Sequence, residues 1–397
     1  MWQYNLKRIL VFIAKRICLL FFLFITACVE PLEIEEGKFE SALVVESTIT
    51  DEYITQKVKL SKAYPLGEDG PFAEVGATVE VTDNNGNTYP FTEEENGIYL
   101  STRPFAVEPG ITYQLQVSTS NGKSYNSETV ILPGGTVPIA EVYATPTNYQ
   151  GEDGIGLIVN TQTGEEVSYY KYEYEETYKV VSRFPKNREF ILNDDGEPEL
   201  VLKTYEDEIC YNTVASNSVV LRNTSNLSFN TEDGFIIRFL ASDNPILAYR
   251  YSILVKQFSL TPEAYRFYET LQNLSESENI FSQVQPGLLK GNIVTEDQED
   301  EVVIGYFSVA SVSEKRTFFS YSDYYDPSAG RPVLTSYCDT IYDPPREELI
   351  QLIENGGYLF YADDPVPFAP PIYTLMWAQC IDCRRLGSNE VPEFWVE

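Results

Sequence analysis

Short stretches of alternating polar and apolar residues, separated by turn-forming residues, recur along the first third of the chain. The clearest is Ala77-Thr78-Val79-Glu80-Val81-Thr82, which runs directly into the turn cluster Asp83-Asn84-Asn85-Gly86-Asn87. A period of two is typical of a strand with one buried face, and clusters of Gly, Asn and Pro mark the turns between such strands. The pattern predicts a small immunoglobulin-like or transthyretin-like β-sandwich over residues 42–133.

A proline- and glycine-rich stretch, Pro133-Gly134-Gly135-Thr136-Val137-Pro138, is the predicted linker to a second domain. Residues 139–397 are expected to form a larger β-sandwich-like domain with two helical insertions. The first helix should begin at Thr261-Pro262-Glu263, which supplies an N-cap, a first-turn proline and an early acid. The second should run over residues 346–354. The predicted fold class is therefore mainly β.

A tyrosine-rich strand is expected early in this second domain. Tyr170, Tyr172, Tyr174 and Tyr178 would share one of its faces. The pattern favours a buried face of a sandwich, because tyrosine is common in strands. An exposed aromatic row that stacks on sugar rings is the alternative.

The chain begins with the features of a lipoprotein signal peptide. Four basic residues precede the unbroken apolar run at residues 17–25, and Ile25-Thr26-Ala27-Cys28 follows with its small residues before a cysteine. The run is too short for the roughly 20 apolar residues that span a bilayer, so a transmembrane anchor is the weaker alternative. Residues 1–27 are the predicted signal peptide, Cys28 the lipidated residue and 28–41 an acidic tether.

Charge and composition exclude several functions. The net charge is −32, and removal of residues 1–27, with four basic and no acidic side chains, would leave (28 − 4) − 60 = −36. Such a chain repels nucleic acid phosphates and anionic head groups. It also contains no histidine, which removes the commonest general base and metal ligand. We therefore predict no enzyme activity, catalytic residue, cofactor, metal site or nucleic acid partner.

Four cysteines remain after Cys18 leaves with the signal and Cys28 takes the lipid: Cys210, Cys338, Cys380 and Cys383. An even number in an exported protein predicts two disulfides, with three possible connectivities. Adjacent CxxC bridges are usually redox-active, so we expect Cys380 and Cys383 to pair outward, with Cys210 and Cys338. A redox pair and a four-thiolate zinc site are the alternatives.

Segments rich in Tyr, Asp and Pro at residues 321–345 and 361–373 suggest long irregular loops, where binding function often lies. Tyr321, Tyr324 and Tyr325 are the candidate ligand-binding residues, and they are expected to be exposed. The alternative is that the cysteines simply pin these loops.

Several ordered segments together resemble one family. They are Leu43–Asp51, Gly76–Asp83, Tyr249–Gln257, Gly291-Asn292-Ile293, Gly305-Tyr306-Phe307, Val312–Arg316, Cys380–Arg384 and Pro392–Trp395. The set resembles an uncharacterised outer-membrane lipoprotein family of Bacteroidota, domain-of-unknown-function family 4249. The resemblance covers residues 28–397.

The resemblance implies an outer-membrane lipoprotein that works beside a TonB-dependent receptor, and it brings no catalytic residues. Glu30, Glu33, Glu35 and Glu36 resemble the acidic signal that directs such lipoproteins to the cell exterior. We expect an accessory protein that binds the receptor, or a glycan or peptide ligand. A stand-alone glycan-binding or adhesion lipoprotein is the alternative. A hydrolase would need two carboxylates within about 5–10 Å, which the sequence does not place.

Overall fold

The computed structural model describes residues 42–64, 70–161, 167–227, 234–276, 289, 291–295 and 303–397. The predicted signal peptide, Cys28 and the acidic tether lie outside these residues. Strands dominate the described part, which has two α-helices, α1 (Pro262–Glu276) and α2 (Arg346–Asn355). The predicted mainly-β class and both predicted helices are confirmed.

The strands fall into three consecutive groups along the chain. The first group is β1 (Leu43–Thr50), β2 (Lys57–Lys62), β3 (Phe72–Ala73), β4 (Thr78–Asp83), β5 (Thr88–Glu95), β6 (Ile98–Ser101), β7 (Thr112–Ser118), β8 (Ser124–Ser127) and β9 (Val130–Ile131). The second is β10 (Ile139–Tyr149), β11 (Glu152–Thr161), β12 (Tyr169–Val181), β13 (Arg188–Leu192), β14 (Pro198–Leu202), β15 (Ile209–Ala215), β16 (Val220–Asn223), β17 (Phe235–Ala241) and β18 (Arg250–Ser259). The third is β19 (Ile293–Thr295), β20 (Val303–Ala310), β21 (Val312–Ser320), β22 (Thr340–Tyr342), β23 (Tyr358–Asp364) and β24 (Ile372–Trp377).

The first sheet has the order β19-β8-β7-β4-β5-β6-β2-β1-β20, with β3 beside β2 and β9 beside β7. Alternate side chains such as Val45, Val81 and Leu115 enter one apolar core, as the period-two pattern predicts. The pairing of β1 with β20 is parallel over eight residues, from Leu43–Val303 to Thr50–Ala310. This sheet therefore takes strands from beyond residue 290 as well as from residues 42–133.

The segment that leads into β19 lies close to β20 at Asn292. The side chain of this residue donates from Nδ2 to the Phe307 carbonyl oxygen at 2.8 Å and accepts from the Phe307 N–H at 2.8 Å. A Cβ added to Gly291 would lie 1.5 Å from the Gly305 carbonyl oxygen, so only glycine permits this approach. Asn292 thus satisfies both peptide groups of a buried residue in β20.

A second apolar core lies between two further sheets. One has the order β10-β11-β17, and the other has the order β15-β12-β18-β21, with β16 also beside β12. Tyr170 and Tyr172 of β12 are fully buried in this core, whereas Tyr174 and Tyr178 pack against it and are half-buried. The predicted face is therefore fully buried at two of its four tyrosines. Tyr251 of β18 donates its hydroxyl to the buried Glu176 at 2.5 Å.

Asp51 joins the first sheet to the segments that lead into the second core. Its carboxylate accepts from the Val312 N–H at 2.9 Å, at the point where the chain leaves β20 and enters β21. The same carboxylate accepts from the Thr136 hydroxyl at 2.9 Å, within the predicted linker. The Asp51 carboxylate therefore bonds both of the segments that connect the two cores, one at Thr136 and the other at Val312.

The C-terminal region is held by a small sheet of order β22-β24-β23, by α2 and by two disulfides. Leu349 and Leu352 of α2 pack on Leu375 of β24. Gly356 ends the helix with φ of 62°, the left-handed conformation that favours glycine.

Glu93 of β5 predicts a pH dependence of stability. Its carboxylate accepts from the Gly97 N–H at 3.0 Å and from the Gly76 N–H at 2.8 Å. These bonds lower the pKa of Glu93 below its ordinary value, and the bond from Gly97 has the larger effect. Folding therefore gains from ionisation above pH about 4.5, and the gain is lost as pH falls through the lower, folded-state pKa.

We expect Glu93→Gln to lower the free energy of unfolding by less than about 1 kcal/mol at pH 7, because the carboxylate is partly exposed. The difference from the wild type should become smaller as the pH falls below 4.5, and it is compared at pH 7 and at pH 3. Urea unfolding of both proteins at the two pH values checks this, and a difference independent of pH would contradict it.

Candidate ligand-binding cleft

A cleft of about 650 Å³ lies between the outward faces of β1 and β20 and the outward face of β12, with α1 alongside. We define it by Val44, Thr48, Lys171, Phe258, Tyr268 and Tyr306, all of which line it. This volume lies within the range of small-molecule sites.

Strand periodicity decides which side chains reach the cleft. In β1, Leu43, Val45 and Ile49 enter the first core, so the alternate residues Val44 and Thr48 face the other way. In β12, Tyr170 and Tyr172 enter the second core. Lys171, between them, is therefore directed to the cleft. The cavity therefore lies between the outward faces of strands from two different sheets, β1 and β20 on one side and β12 on the other.

Lys171 is the most unusual residue of the cleft, because it is 8% exposed and carries a charge. Its Nζ lies 2.9 Å from Glu173 Oε1 and 4.8 Å from the ring centroids of both Phe258 and Tyr268. Burial, the largest influence, lowers the pKa of Lys171, but the fields of Tyr268 and Glu173 outweigh burial and raise the pKa above its ordinary value. The ammonium therefore stays charged, as a cation held between aromatic faces.

Helix α1 supplies the aromatic side of the cleft. It begins as predicted, with the Thr261 hydroxyl accepting from the Ala264 N–H at 3.2 Å. Phe267 packs on Tyr306 of β20 with ring centroids 5.4 Å apart, and Tyr268 lies 3.5 Å from Thr48 through its hydroxyl. The helix thus contacts β20 and β1 while it holds Tyr268 over Lys171.

Charged residues surround the opening. Glu46 of β1 pairs with Lys59 at 2.8 Å, and the exposed Lys57 also lines the cleft. A second hollow of about 350 Å³ lies beside it, lined by Glu128, Glu263 and Arg266 among others.

The three predicted ligand-binding tyrosines lie elsewhere. Tyr321 is buried, contrary to the expectation, and Tyr324 and Tyr325 are half-buried. Tyr321 is 8% exposed and donates its hydroxyl to the Gly330 carbonyl at 3.1 Å. Tyr324 donates to the Ala144 carbonyl at 2.7 Å, and its ring packs on the second core together with that of Tyr325. The loop is rich in polar residues, but its aromatic rings turn inward because burying them stabilises the fold.

The four cysteines form two disulfides, Cys210–Cys383 and Cys338–Cys380. The expected outward pairing of Cys380 and Cys383 is therefore what the structure shows. Across the described ranges, no group of three or more Cys, Asp or Glu side chains is arranged to hold a metal ion.

Two ion pairs lie beside this CxxC segment. Arg384 donates to Asp382 at 2.8 Å, and its guanidinium lies 3.9 Å from the ring centroid of Tyr205. Burial raises the pKa of Asp382, but its bonds to Arg384 lower the pKa more. Lys203 pairs with Asp207, whose pKa is raised because burial outweighs the pairing. The network ties the CxxC segment to the turn before β15.

No helix in the described ranges is long and apolar enough to cross a membrane. The predicted lipidation at Cys28 falls outside those ranges and stays a prediction.

A family model for a domain of unknown function, DUF4249, matches residues 29–316. The chain belongs to this family. In this DUF4249 protein the match takes in every residue that defines the cleft and ends within β21. The cysteine-bonded C-terminal region lies beyond the match, whereas the sequence resemblance extended to residue 397.

Other comparisons add little. No curated protein matches the chain. Among solved structures, a DUF4785 family protein from Legionella pneumophila subsp. pneumophila str. Philadelphia 1 is similar at 11% identity, with a TM-score of 0.17. The similarity covers 56% of this chain and 54% of that one, so the chain spans about half the length of that structure. So low a TM-score carries no argument about the DUF4249 fold.

Sequence reasoning missed the cleft, because nothing within β12 marks Lys171 as buried. Lys171 is a single basic residue between the buried Tyr170 and Tyr172. A lysine on the opposite face of such a strand is ordinarily exposed, and only the packing of β1, β20 and α1 on that face buries it.

Proposed function

We propose that this DUF4249 protein is a lipid-anchored outer-membrane binding protein that faces the cell exterior and assists a TonB-dependent transporter. The observation that carries the proposal is Ile25-Thr26-Ala27-Cys28 directly behind a short apolar run. The family match begins at residue 29, immediately after that cysteine. We also propose that residues 42–133 form an immunoglobulin-like or transthyretin-like β-sandwich.

The binding role is supported by the cleft. Its volume of about 650 Å³ and its aromatic and aliphatic lining are those of a ligand site. Tyr321, Tyr324 and Tyr325 do not contribute to this proposal, because their rings pack on the second core and do not line the cleft. Stand-alone glycan binding or adhesion is the alternative.

Lipidation is tested by growing cells with labelled palmitate. The wild-type chain should carry the label and fractionate with the outer membrane. Cys28→Ser should lose essentially all of it, because the thioether bond to the lipid cannot form. Cys18→Ser is the matched control, since Cys18 lies inside the predicted signal peptide, and it should be labelled normally. Label on Cys28→Ser would contradict the anchor.

The transporter partner is tested separately. The tagged, lipidated protein should co-purify a TonB-dependent receptor from detergent-solubilised outer membranes. Exposure on the cell exterior should make it accessible to protease added to intact cells. Recovery of the anchored protein with no receptor would contradict the accessory role and leave the anchor intact.

A further inference from the structure

We infer that the cleft binds a ligand with an apolar body and a single carboxylate, and that the Lys171 ammonium is the ionic partner of that carboxylate. The inference deepens the proposed binding function and rests on its assignment of a ligand to this protein. It does not depend on the anchor or on the receptor.

The first argument is the unfilled bonding capacity of Lys171. An ammonium has three N–H donors, and within the described part of the chain a single carboxylate, that of Glu173, accepts from it at 2.9 Å. The remaining contacts are the faces of Phe258 and Tyr268. The surrounding charges keep the ammonium ionised, and the bond to Glu173 uses only one of its three donors.

The second argument is that the present partner can be displaced. The side chain of Glu173 is 51% exposed, whereas that of Lys171 is 10% exposed. Because Glu173 is half exposed, its carboxylate can return to water when a ligand carboxylate takes its place beside Lys171. A ligand carboxylate that enters the cleft would then meet a cation already dehydrated and fixed in place.

The third argument concerns the rest of the ligand. Val44, Ile304, Phe258, Phe267 and Leu271 line the cavity around Lys171 and suit an aliphatic or aromatic body. Glu46 and Glu173 stand at its lining as well, so a ligand with several negative charges would be repelled. An apolar monocarboxylate satisfies both conditions. The free acid of an acyl chain and the C-terminus of an apolar peptide share this chemistry.

Calorimetric titration of the full chain, purified in a non-ionic detergent, tests the inference with 4-phenylbutyrate as the probe. The neutral 4-phenylbutyramide controls for apolar partitioning. We expect saturable binding of the carboxylate. The affinity for the amide should be at least about tenfold weaker than the affinity for the carboxylate. A tetrapeptide that ends in Phe-Val, with a free or an amidated C-terminus, separates the two sources of the carboxylate.

Three variants locate the ionic contact. Lys171→Met should weaken binding of the carboxylate about tenfold or more while leaving the amide unchanged. Lys256→Met is the matched control, because Lys256 lies on β18 outside the cleft lining and pairs with Glu314 at 3.4 Å, and it should change little. Glu173→Gln should tighten carboxylate binding by about twofold to fivefold, because the competing partner is gone. A purely structural lysine would not give that increase.

Equal binding of carboxylate and amide would overturn the inference, as would the absence of saturable binding by any probe. If Lys171→Met does not fold, Glu173→Gln decides alone, and unchanged or weaker carboxylate binding in that variant counts against the inference. None of these results depends on lipidation or on recovery of a receptor, so failure here is distinguishable from failure of the proposed function.

Discussion

Replacing Cys210 and Cys383 together by alanine should lower the free energy of unfolding by about 2–5 kcal/mol. The bond joins residues 173 positions apart, so it removes much of the freedom of the unfolded chain. Both cysteines are fully buried beside Val180, so alanine at either site leaves no new polar group there. The measurement is urea unfolding of the purified, oxidised protein.

The second disulfide provides the matched control. Cys338 and Cys380 are 42 positions apart, so chain entropy predicts that Cys338→Ala with Cys380→Ala costs about 1 kcal/mol less. Wild-type protein treated with a reductant should be less stable than either double variant. Unfolding of the Cys210/Cys383 variant at the wild-type urea concentration would show that the bond contributes nothing to stability.

Asn292→Ala should lower the free energy of unfolding by about 2–5 kcal/mol, because it leaves both peptide groups of Phe307 without their partner. Phe307 is fully buried, so water cannot replace the lost bonds. Urea unfolding gives the stability, and hydrogen exchange followed at the Phe307 amide reports the local loss. That amide should exchange faster in the variant than other amides of β20.

Asn148→Ala is the matched control, because Asn148 is exposed and its amide bonds only the neighbouring Asp153 at 2.7 Å. It should alter stability by at most about 0.5 kcal/mol. Unchanged exchange at Phe307 in Asn292→Ala would mean that the side chain is not what protects β20.

Much of the local structure was predictable, because it depends on neighbours in the sequence. Alternation placed Val79 and Val81 inward, and the capping residues at Thr261 located the start of α1. The buried face of Tyr170 and Tyr172 followed from the same period of two. Each of these features is decided within a few residues along the chain.

The contacts that build the cleft were not predictable in this way. The parallel pairing of β1 with β20 brings Val44 beside Ile304 and Tyr306, more than 250 positions away. The pattern of polar and apolar residues within either strand does not identify the strand with which it pairs. Gly291-Asn292-Ile293 and Gly305-Tyr306-Phe307 are both among the segments that resemble the family, and the structure shows that these two segments bond to each other.

The burial of the aromatic rings in the loop at residues 321–325 was also not predicted. Residues 321–325 combine tyrosines with Ser322 and Asp323, a composition that suggests an exposed loop. Tyr321 and Tyr324 nevertheless bond the backbone at Gly330 and Ala144, far from each other in sequence. Whether an aromatic ring in a loop faces solvent depends on which surface the loop crosses.

The position of β1 has a mechanical consequence. β1 lies between β2 and β20, with five residue pairs on one side and eight on the other. If the chain is anchored at Cys28 as proposed, tension on the anchor reaches the sheet at Leu43 and acts along β1, so both ladders resist sliding at once. The hydrogen bonds then share the load instead of opening one after another, and the strand nearest the point of attachment is also the one best placed to withstand a pull.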